Sequence, residues 1–199
     1  MASQTARYLL LIGIIFLFVS SNVFACVGKT LYVGALDTAE DAIMAEFLVH
    51  FINARTGSSV KVKIFKDTED LYKALQSNDA ENRIDLVVED TSDASHVLGL
   101  QRNPSLEREY IETKKAYEKK FDVIWLDPFE FTNIKAGQKS AAASLVRRDV
   151  LAAFPLLPRI LNKLAGAIDN QSFTQLLDQA KREKPNTMVK FFLESHGLI

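Results

Sequence analysis

The chain has 199 residues, with 24 lysines and arginines against 25 aspartates and glutamates, and 48% of its residues are hydrophobic. This composition is typical of a globular protein long enough to build one domain with a substantial core. The near-neutral charge balance argues against a basic nucleic-acid surface, so no nucleic-acid partner is expected. Three scattered histidines, one cysteine and the absence of zinc, P-loop, dinucleotide or nucleophile-elbow motifs predict a non-enzyme without metal or cofactor.

Residues 1–25 have the pattern of an export signal. Arg7 supplies a positive charge, residues 9–19 form an apolar run too short to span a bilayer comfortably, and Val-Phe-Ala ends the segment like a cleavage site. A retained membrane anchor is the alternative. Cys26 follows directly, and Val-Phe-Ala-Cys resembles a bacterial lipobox, so Cys26 is either a lipidated first residue or an unpaired thiol. We expect an exported protein, periplasmic or anchored to the membrane through a lipid on Cys26, with residues 26–199 as one domain.

After the signal, strand and helix patterns alternate along the chain. Apolar runs and strict alternation predict strands, and apolar residues at three- and four-residue steps predict helices. The predicted strands cover residues 30–36, 60–65, 84–88, 121–126 and 141–146. The predicted helices run from Thr38 to Gly57 and over residues 67–77, 107–120, 152–164, 170–184 and 187–195, with a loop and one short helix over 89–100. The helix over 152–164 is expected to be broken or kinked near Pro155 and Pro158. Lysines alternate with apolar residues in the second strand, as at a sheet edge, and the third strand is an apolar run interrupted only by Asp85, as in a sheet centre.

This order of elements predicts the fold class. Strands that alternate with helices favour an α/β protein with a parallel sheet. Asp127 and Pro128 are expected to end the fourth strand, and a short polar loop over residues 132–140 leads to the return strand over 141–146, which we expect to run antiparallel. We predict an α/β fold with a mostly parallel five-stranded sheet and helices on both faces.

Acidic residues gather where the predicted strands end, and ligands bind at the carboxyl ends of strands in such sheets. The candidates after the first, third and fourth strands are Asp37, Thr38, Glu40, Glu89, Asp90, Thr91, Asp127 and Phe129. These strand ends contain no lysine or arginine before Lys135, so a cation would be favoured there. Asp37 and Asp90 have a simpler interpretation as helix caps.

Several segments carry a family resemblance. They are WLDPFEFTN (with Trp125, Leu126, Pro128, Phe131 and Asn133), ALDTAED, VVEDTSD, the stretch after Ala141 and the ending MVKFFLESHGLI. Together they resemble the substrate-binding proteins of glycine betaine/choline/proline-type ABC importers, the OpuAC-like family. The resemblance covers nearly all of the chain after the signal.

The resemblance implies one lobe of a type II periplasmic binding protein. In full-length members a second lobe separates the two halves of the stretch over residues 121–155, and here it is expected to be missing between about 132 and 140. The resemblance places Glu40, Glu89 and Thr91 in ligand loops and adds Asn133 to the candidates.

Quaternary ammonium groups are generally held by aromatic faces. The candidates for that role are Trp125, Phe129 and Phe131. Trp125 fits a core position better, because it lies within a strand. Phe129 and Phe131 either stack on a ligand or cover the end of the sheet.

The implied function is that of an exported solute-binding component of an ABC import system. Its ligand would be a quaternary ammonium or another cationic or zwitterionic small solute, and its protein partner an ABC permease. The alternative is a non-enzymatic adaptor or scaffold lipoprotein that kept the lobe, lost ligand trapping and binds a partner protein at the exposed sheet edge.

Overall fold

The structure is a computed structural model that describes residues 29–135 and 137–199. The predicted signal segment, residues 1–25, and Cys26 lie outside the described residues. The elements are β1 (Thr30–Leu36), α1 (Ala39–Thr56), β2 (Ser59–Phe65), α2 (Thr68–Gln76), β3 (Leu86–Asp90), α3 (Thr91–Leu98), α4 (Leu106–Phe121), β4 (Val123–Lys135), β5 (Gln138–Arg147), α5 (Arg148–Ala153), α6 (Leu157–Ala165), α7 (Asn170–Gln179) and α8 (Pro185–Ser195). In this part of the chain, no helix combines the length and apolar character needed to cross a membrane.

One five-stranded sheet, in the order β2-β1-β3-β5-β4, organises these elements. β1 pairs in parallel with β2 and β3, whereas β5 runs antiparallel to both β3 and β4. The predicted α/β class and the antiparallel return strand are therefore confirmed, and the sheet is mixed. β2 lies at an edge and β3 at the centre, as their sequence patterns predict.

The fourth strand is longer than the sequence pattern predicts. The prediction that Asp127 and Pro128 end it is wrong, because β4 continues to Lys135 and β5 begins at Gln138. Most of the predicted loop over 132–140 is therefore strand. Register shifts on both sides of Pro128 accommodate the proline, and β4 is an edge strand, where a residue without an N–H group is tolerated. The carboxyl end of β4 is consequently Lys135.

Helices cover both faces of the sheet, as predicted. On one face α1, α5, α6, α7 and α8 bury an apolar layer that includes Val33, Phe47 and Phe131. On the other face α2, α3 and α4 bury a second layer that includes Tyr117 and Trp125. β4 therefore contributes to both layers, because its register shifts turn Trp125 and Phe131 to opposite faces.

The helix boundaries follow local chemistry. The Thr38 hydroxyl accepts a hydrogen bond from the N–H of Asp41 at 3.1 Å and begins α1, and Gly57, with a φ of 68°, ends it. Both features agree with the sequence prediction. The helix predicted over 152–164 is divided into α5 and α6 at Pro155, which lacks the N–H group that a continuous helix would use.

Candidate functional site

A small acidic cavity at the carboxyl edge of the sheet is the candidate site. β1, β2, β3 and β4 all end at this edge, because β4 runs in the same direction as the three parallel strands. The cavity has a volume of about 50 Å³. Its charged lining side chains are Glu40, Asp41, Glu89, Asp90, Asp93 and Lys135.

Asp90 has partners on both carboxylate oxygens. Its Oδ1 accepts hydrogen bonds from the N–H groups of Ser92 (2.8 Å) and Asp93 (3.0 Å) and from the Ser140 hydroxyl (2.8 Å). Its Oδ2 lies 3.1 Å from Nζ of Lys135. The interpretation of Asp90 as a helix cap is confirmed for α3, and the same side chain is an ion-pair partner inside the cavity.

Glu40 and Asp41 bring the first turn of α1 to the cavity. Oδ2 of Asp41 accepts a hydrogen bond from the N–H of Leu36 at 2.9 Å, and Glu40 accepts one from the side-chain amide of Asn133. Burial raises the pKa of both carboxyl groups above their ordinary values. The bond from Asn133 joins the end of β4 to α1, so the structure places two of the predicted site residues in contact.

Glu89 lies near the end of β3 and is half-buried. It accepts a hydrogen bond from the Tyr72 hydroxyl, and its Oε1 accepts another from the N–H of Asp90 at 3.1 Å. Burial, followed by the negative charges of Asp90 and Asp93, raises the pKa of Glu89 well above its ordinary value. Glu89 therefore keeps its proton to a higher pH than an exposed glutamate.

Lys135 places an ammonium group among these carboxylates. Its Nζ lies 3.1 Å from Oδ2 of Asp90 and 3.2 Å from Oδ2 of Asp93. Burial lowers the pKa of Lys135, but the nearby charges of Asp90, Asp93 and Glu40 raise it by more, so the pKa lies above its ordinary value. Among the described residues that line the cavity, Lys135 is the only basic one.

Three of the other polar candidates do not line the cavity. Thr91 is buried, and its hydroxyl donates to Oε2 of Glu109 at 2.8 Å. Asp37 and Thr38 are exposed, and the helix cap at this position is Thr38, so the interpretation of Asp37 as a cap is wrong.

Asp127 lies apart from the cavity. It is exposed, and its Oδ2 accepts a hydrogen bond from the Asn162 side chain at 2.6 Å. The reason is the length of β4, which moves the strand end to Lys135.

The aromatic candidates are core residues in this structure. Phe129 and Phe131 are 4% and 1% exposed, and Trp125 is 0% exposed. The Phe131 ring stacks on Phe173 with the ring centroids 3.9 Å apart. These rings therefore cover the sheet, and none of them lines the cavity.

Arg102 supports the site from the loop before α4 and is not indicated by any sequence pattern. Its guanidinium donates to Oε2 of Glu109 (3.1 Å), the Ser92 hydroxyl (2.8 Å) and the carbonyl oxygens of Lys135 (3.3 Å) and Lys139 (2.8 Å). It thus attaches the backbone of the β4–β5 hairpin to α3 and α4. In the described residues, no group of three or more His, Cys, Asp or Glu side chains is arranged to hold a metal ion.

Comparison with known proteins gives structural neighbours. No protein-family model and no curated protein sequence matches the chain. A crystal structure of a glycine betaine/carnitine/choline ABC transporter matches with a TM-score of 0.74 and 15% identity, over 85% of this chain and 98% of that one. Apo YehZ from Escherichia coli matches with a TM-score of 0.74 and 12% identity, over 86% of this chain and 100% of that one. The chain has their fold. At these identities the likeness establishes the shared fold alone, and it confirms the predicted α/β architecture.

Proposed function

We propose that this protein is an exported solute-binding component of an ABC import system, with a permease as its partner. The proposed ligand is a cationic or zwitterionic small solute held at the acidic cavity. The main support is that five carboxyl side chains line this cavity together with the Lys135 ammonium: Glu40, Asp41, Glu89, Asp90 and Asp93. The fold shared with a glycine betaine/carnitine/choline ABC transporter and with YehZ supports a role in solute binding.

The side chains that line the cavity favour one kind of cation. A quaternary ammonium has no N–H group and is best held by aromatic faces, but among the described residues the cavity is lined by no Phe, Tyr or Trp. Carboxylate oxygens accept hydrogen bonds from N–H donors. Within the proposed class, a solute whose cationic group carries N–H therefore fits better than a fully substituted one.

The small size of the cavity favours a site that encloses only part of the solute. Sites that bury a whole small ligand measure about 300–1,000 Å³, whereas this cavity measures about 50 Å³. It is large enough for a cationic head group, and the rest of the solute would extend over the sheet edge. We propose that the second wall of the site, which a second lobe would supply, is missing between about 132 and 140 and that another chain takes its place.

Thermal unfolding of the purified protein with a solute panel tests the proposal. The panel contains betaine, choline, carnitine, ectoine, proline and polyamines. A ligand at 100 times its dissociation constant should stabilise the protein by about 2.7 kcal/mol, a rise of roughly 5–10 °C in Tm for a domain of this size.

A matched pair of variants shows whether binding uses the cavity. Glu40→Gln should weaken binding because Glu40 lines the cavity, and Glu107→Gln should not because Glu107 is exposed on α4. A flat response to the whole panel would contradict the proposal, and equal binding by both variants would contradict the placement of the site.

An adaptor or scaffold lipoprotein is the second candidate, and the position of Lys135 favours it. Its ammonium already pairs with Asp90 and Asp93, so part of the acidic charge is compensated without any solute. A photo-crosslinking residue at Glu130, which is exposed on β4, should then capture a partner protein, while one at Glu107 should not. Capture at Glu130 together with a flat thermal response would favour the adaptor over the solute-binding protein.

A further inference from the structure

The Lys135 side chain lines the cavity and brings an ammonium group to its carboxylates. Its Nζ is within 3.2 Å of one carboxylate oxygen of Asp90 and one of Asp93, and the side chain is 35% exposed. The acidic cluster by itself does not define a ligand. The Lys135 ammonium shows that Asp90 and Asp93 pair with a positively charged group that carries N–H donors.

We propose that Lys135 is a tethered competitor for the cationic head of the solute, an inference that rests on the proposed function. In the free protein its ammonium pairs with the carboxylates that the head group would bind. Solute binding displaces the side chain toward solvent, and the solute's N–H donors replace those of Lys135 on Asp90 and Asp93.

The contacts around the hairpin confine the movement to a side chain. Arg102 donates to the backbone carbonyls of Lys135 and Lys139, and Asn133 donates to Glu40. These bonds hold the backbone of β4 and β5 in place. The four-carbon stem of lysine is flexible and its ammonium is strongly hydrated, so Lys135 is able to leave the cavity while the hairpin remains docked.

Competition of this kind lowers the apparent affinity for the solute. The apparent affinity of a solute falls in proportion to the fraction of molecules in which the cavity is open. If the two ion pairs hold the Lys135 side chain in the cavity in about nine-tenths of the molecules, the apparent affinity for the solute falls about tenfold. A neutral solute cannot replace the lost ion pairs, so the device selects for solutes that bring their own positive charge.

The test is chemical rescue with a small cation. Lys135→Ala removes three methylene groups and the ammonium, which together correspond to n-propylammonium. Titration of n-propylammonium chloride at constant ionic strength, followed by NMR, should give a dissociation constant about tenfold lower for Lys135→Ala than for the wild type. Lys139→Ala should bind like the wild type, because among the described residues Lys139 has no ion-pair partner although it lies on the same hairpin.

The outcomes separate this inference from the proposed function. Equal affinities of the wild type and Lys135→Ala for n-propylammonium would overturn the competition and leave the solute-binding role intact. Absence of binding of n-propylammonium and of the solute panel by both proteins would overturn the inference and the proposed function together. If Lys135→Ala does not fold, Lys135→Gln shortens the side chain by one atom and removes its charge, and the same tenfold gain is expected.

Discussion

Arg102→Ala is expected to lower the free energy of unfolding by about 3 kcal/mol. Glu109, whose side chain is 2% exposed, would lose its guanidinium partner and, among the described residues, keep the Thr91 hydroxyl and the N–H of Asn103. Breaking a buried ion pair costs about 3–5 kcal/mol, because it leaves one charge without compensation. Arg102 itself is 19% exposed, so water would reach the remaining carboxylate and the lower end of that range applies.

Urea denaturation followed by tryptophan fluorescence measures this change. Trp125 is the single tryptophan and is 0% exposed, so its emission reports loss of the fold. A loss of about 3 kcal/mol also corresponds to a fall in Tm of roughly 6–12 °C for a domain of this size. The matched control is Arg108→Ala, which removes an exposed arginine at the start of α4 and should change stability by less than about 0.5 kcal/mol.

A double variant separates the unpaired charge from the other lost contacts. Arg102→Ala combined with Glu109→Gln has no buried charge left without a partner, and it should be more stable than Arg102→Ala alone by about 1 kcal/mol or more. The reasoning is refuted if Arg102→Ala costs less than about 1 kcal/mol, or if the double variant is no more stable than the single one.

Three further substitutions test packing and charge in the sheet. Phe131→Ala should lower the free energy of unfolding by about 3–5 kcal/mol in urea, because the ring is 1% exposed and stacks on Phe173. Glu89→Gln should gain stability relative to the wild type as the pH rises above 4.5. The raised pKa of Glu89 means that its contribution to stability is complete below 4.5 and is lost as the pH rises through the raised value; urea midpoints at pH 4 and pH 8 measure the difference. Gly34→Ala should cost about 1–3 kcal/mol, because its Cβ would collide with Cδ1 of Ile84, and thermal unfolding measures that loss.

Each of these substitutions has a matched control. Phe191→Ala removes a ring that is 70% exposed and should cost less than about 0.5 kcal/mol; if Phe131→Ala costs no more than this, Phe131 is not the core residue described above. Glu107 is exposed, so Glu107→Gln should show no pH-dependent gain in stability. If Glu89→Gln shows no such gain either, the raised pKa of Glu89 is contradicted. Adding Ile84→Val to Gly34→Ala should restore part of the stability, and no recovery would exclude the collision as the cause.

Part of the candidate site could be predicted because it depends on local sequence. Glu40, Glu89 and Asp90 each lie within four residues of the end of an apolar run, so the end of each strand is visible in the sequence and the parallel pairing brings those ends together. The structure places all three around one cavity. The helix caps at Thr38 and Gly57 were predictable for the same reason, since each depends on residues within a few positions.

The remaining part of the site depends on pairing between distant residues. Asp127 and Pro128 have the pattern of a strand end, but the pattern does not show that β5 would pair alongside and extend β4 through register shifts to Lys135. That extension brings Lys135 to the cavity and puts Phe131 in the core. Arg102 lies in a loop without periodicity, and its partners come from three other parts of the chain, so no local pattern could indicate it.

The change of face along β4 has a consequence for how the molecule unfolds. The strand supplies Trp125 to one apolar layer and Phe131 to the other, so detaching it would open both sides of the sheet to water together. The two layers should therefore melt cooperatively, although helices on opposite faces build them. Denaturation curves from tryptophan fluorescence, which reports on one layer, and from far-ultraviolet circular dichroism, which reports on all helices, should coincide.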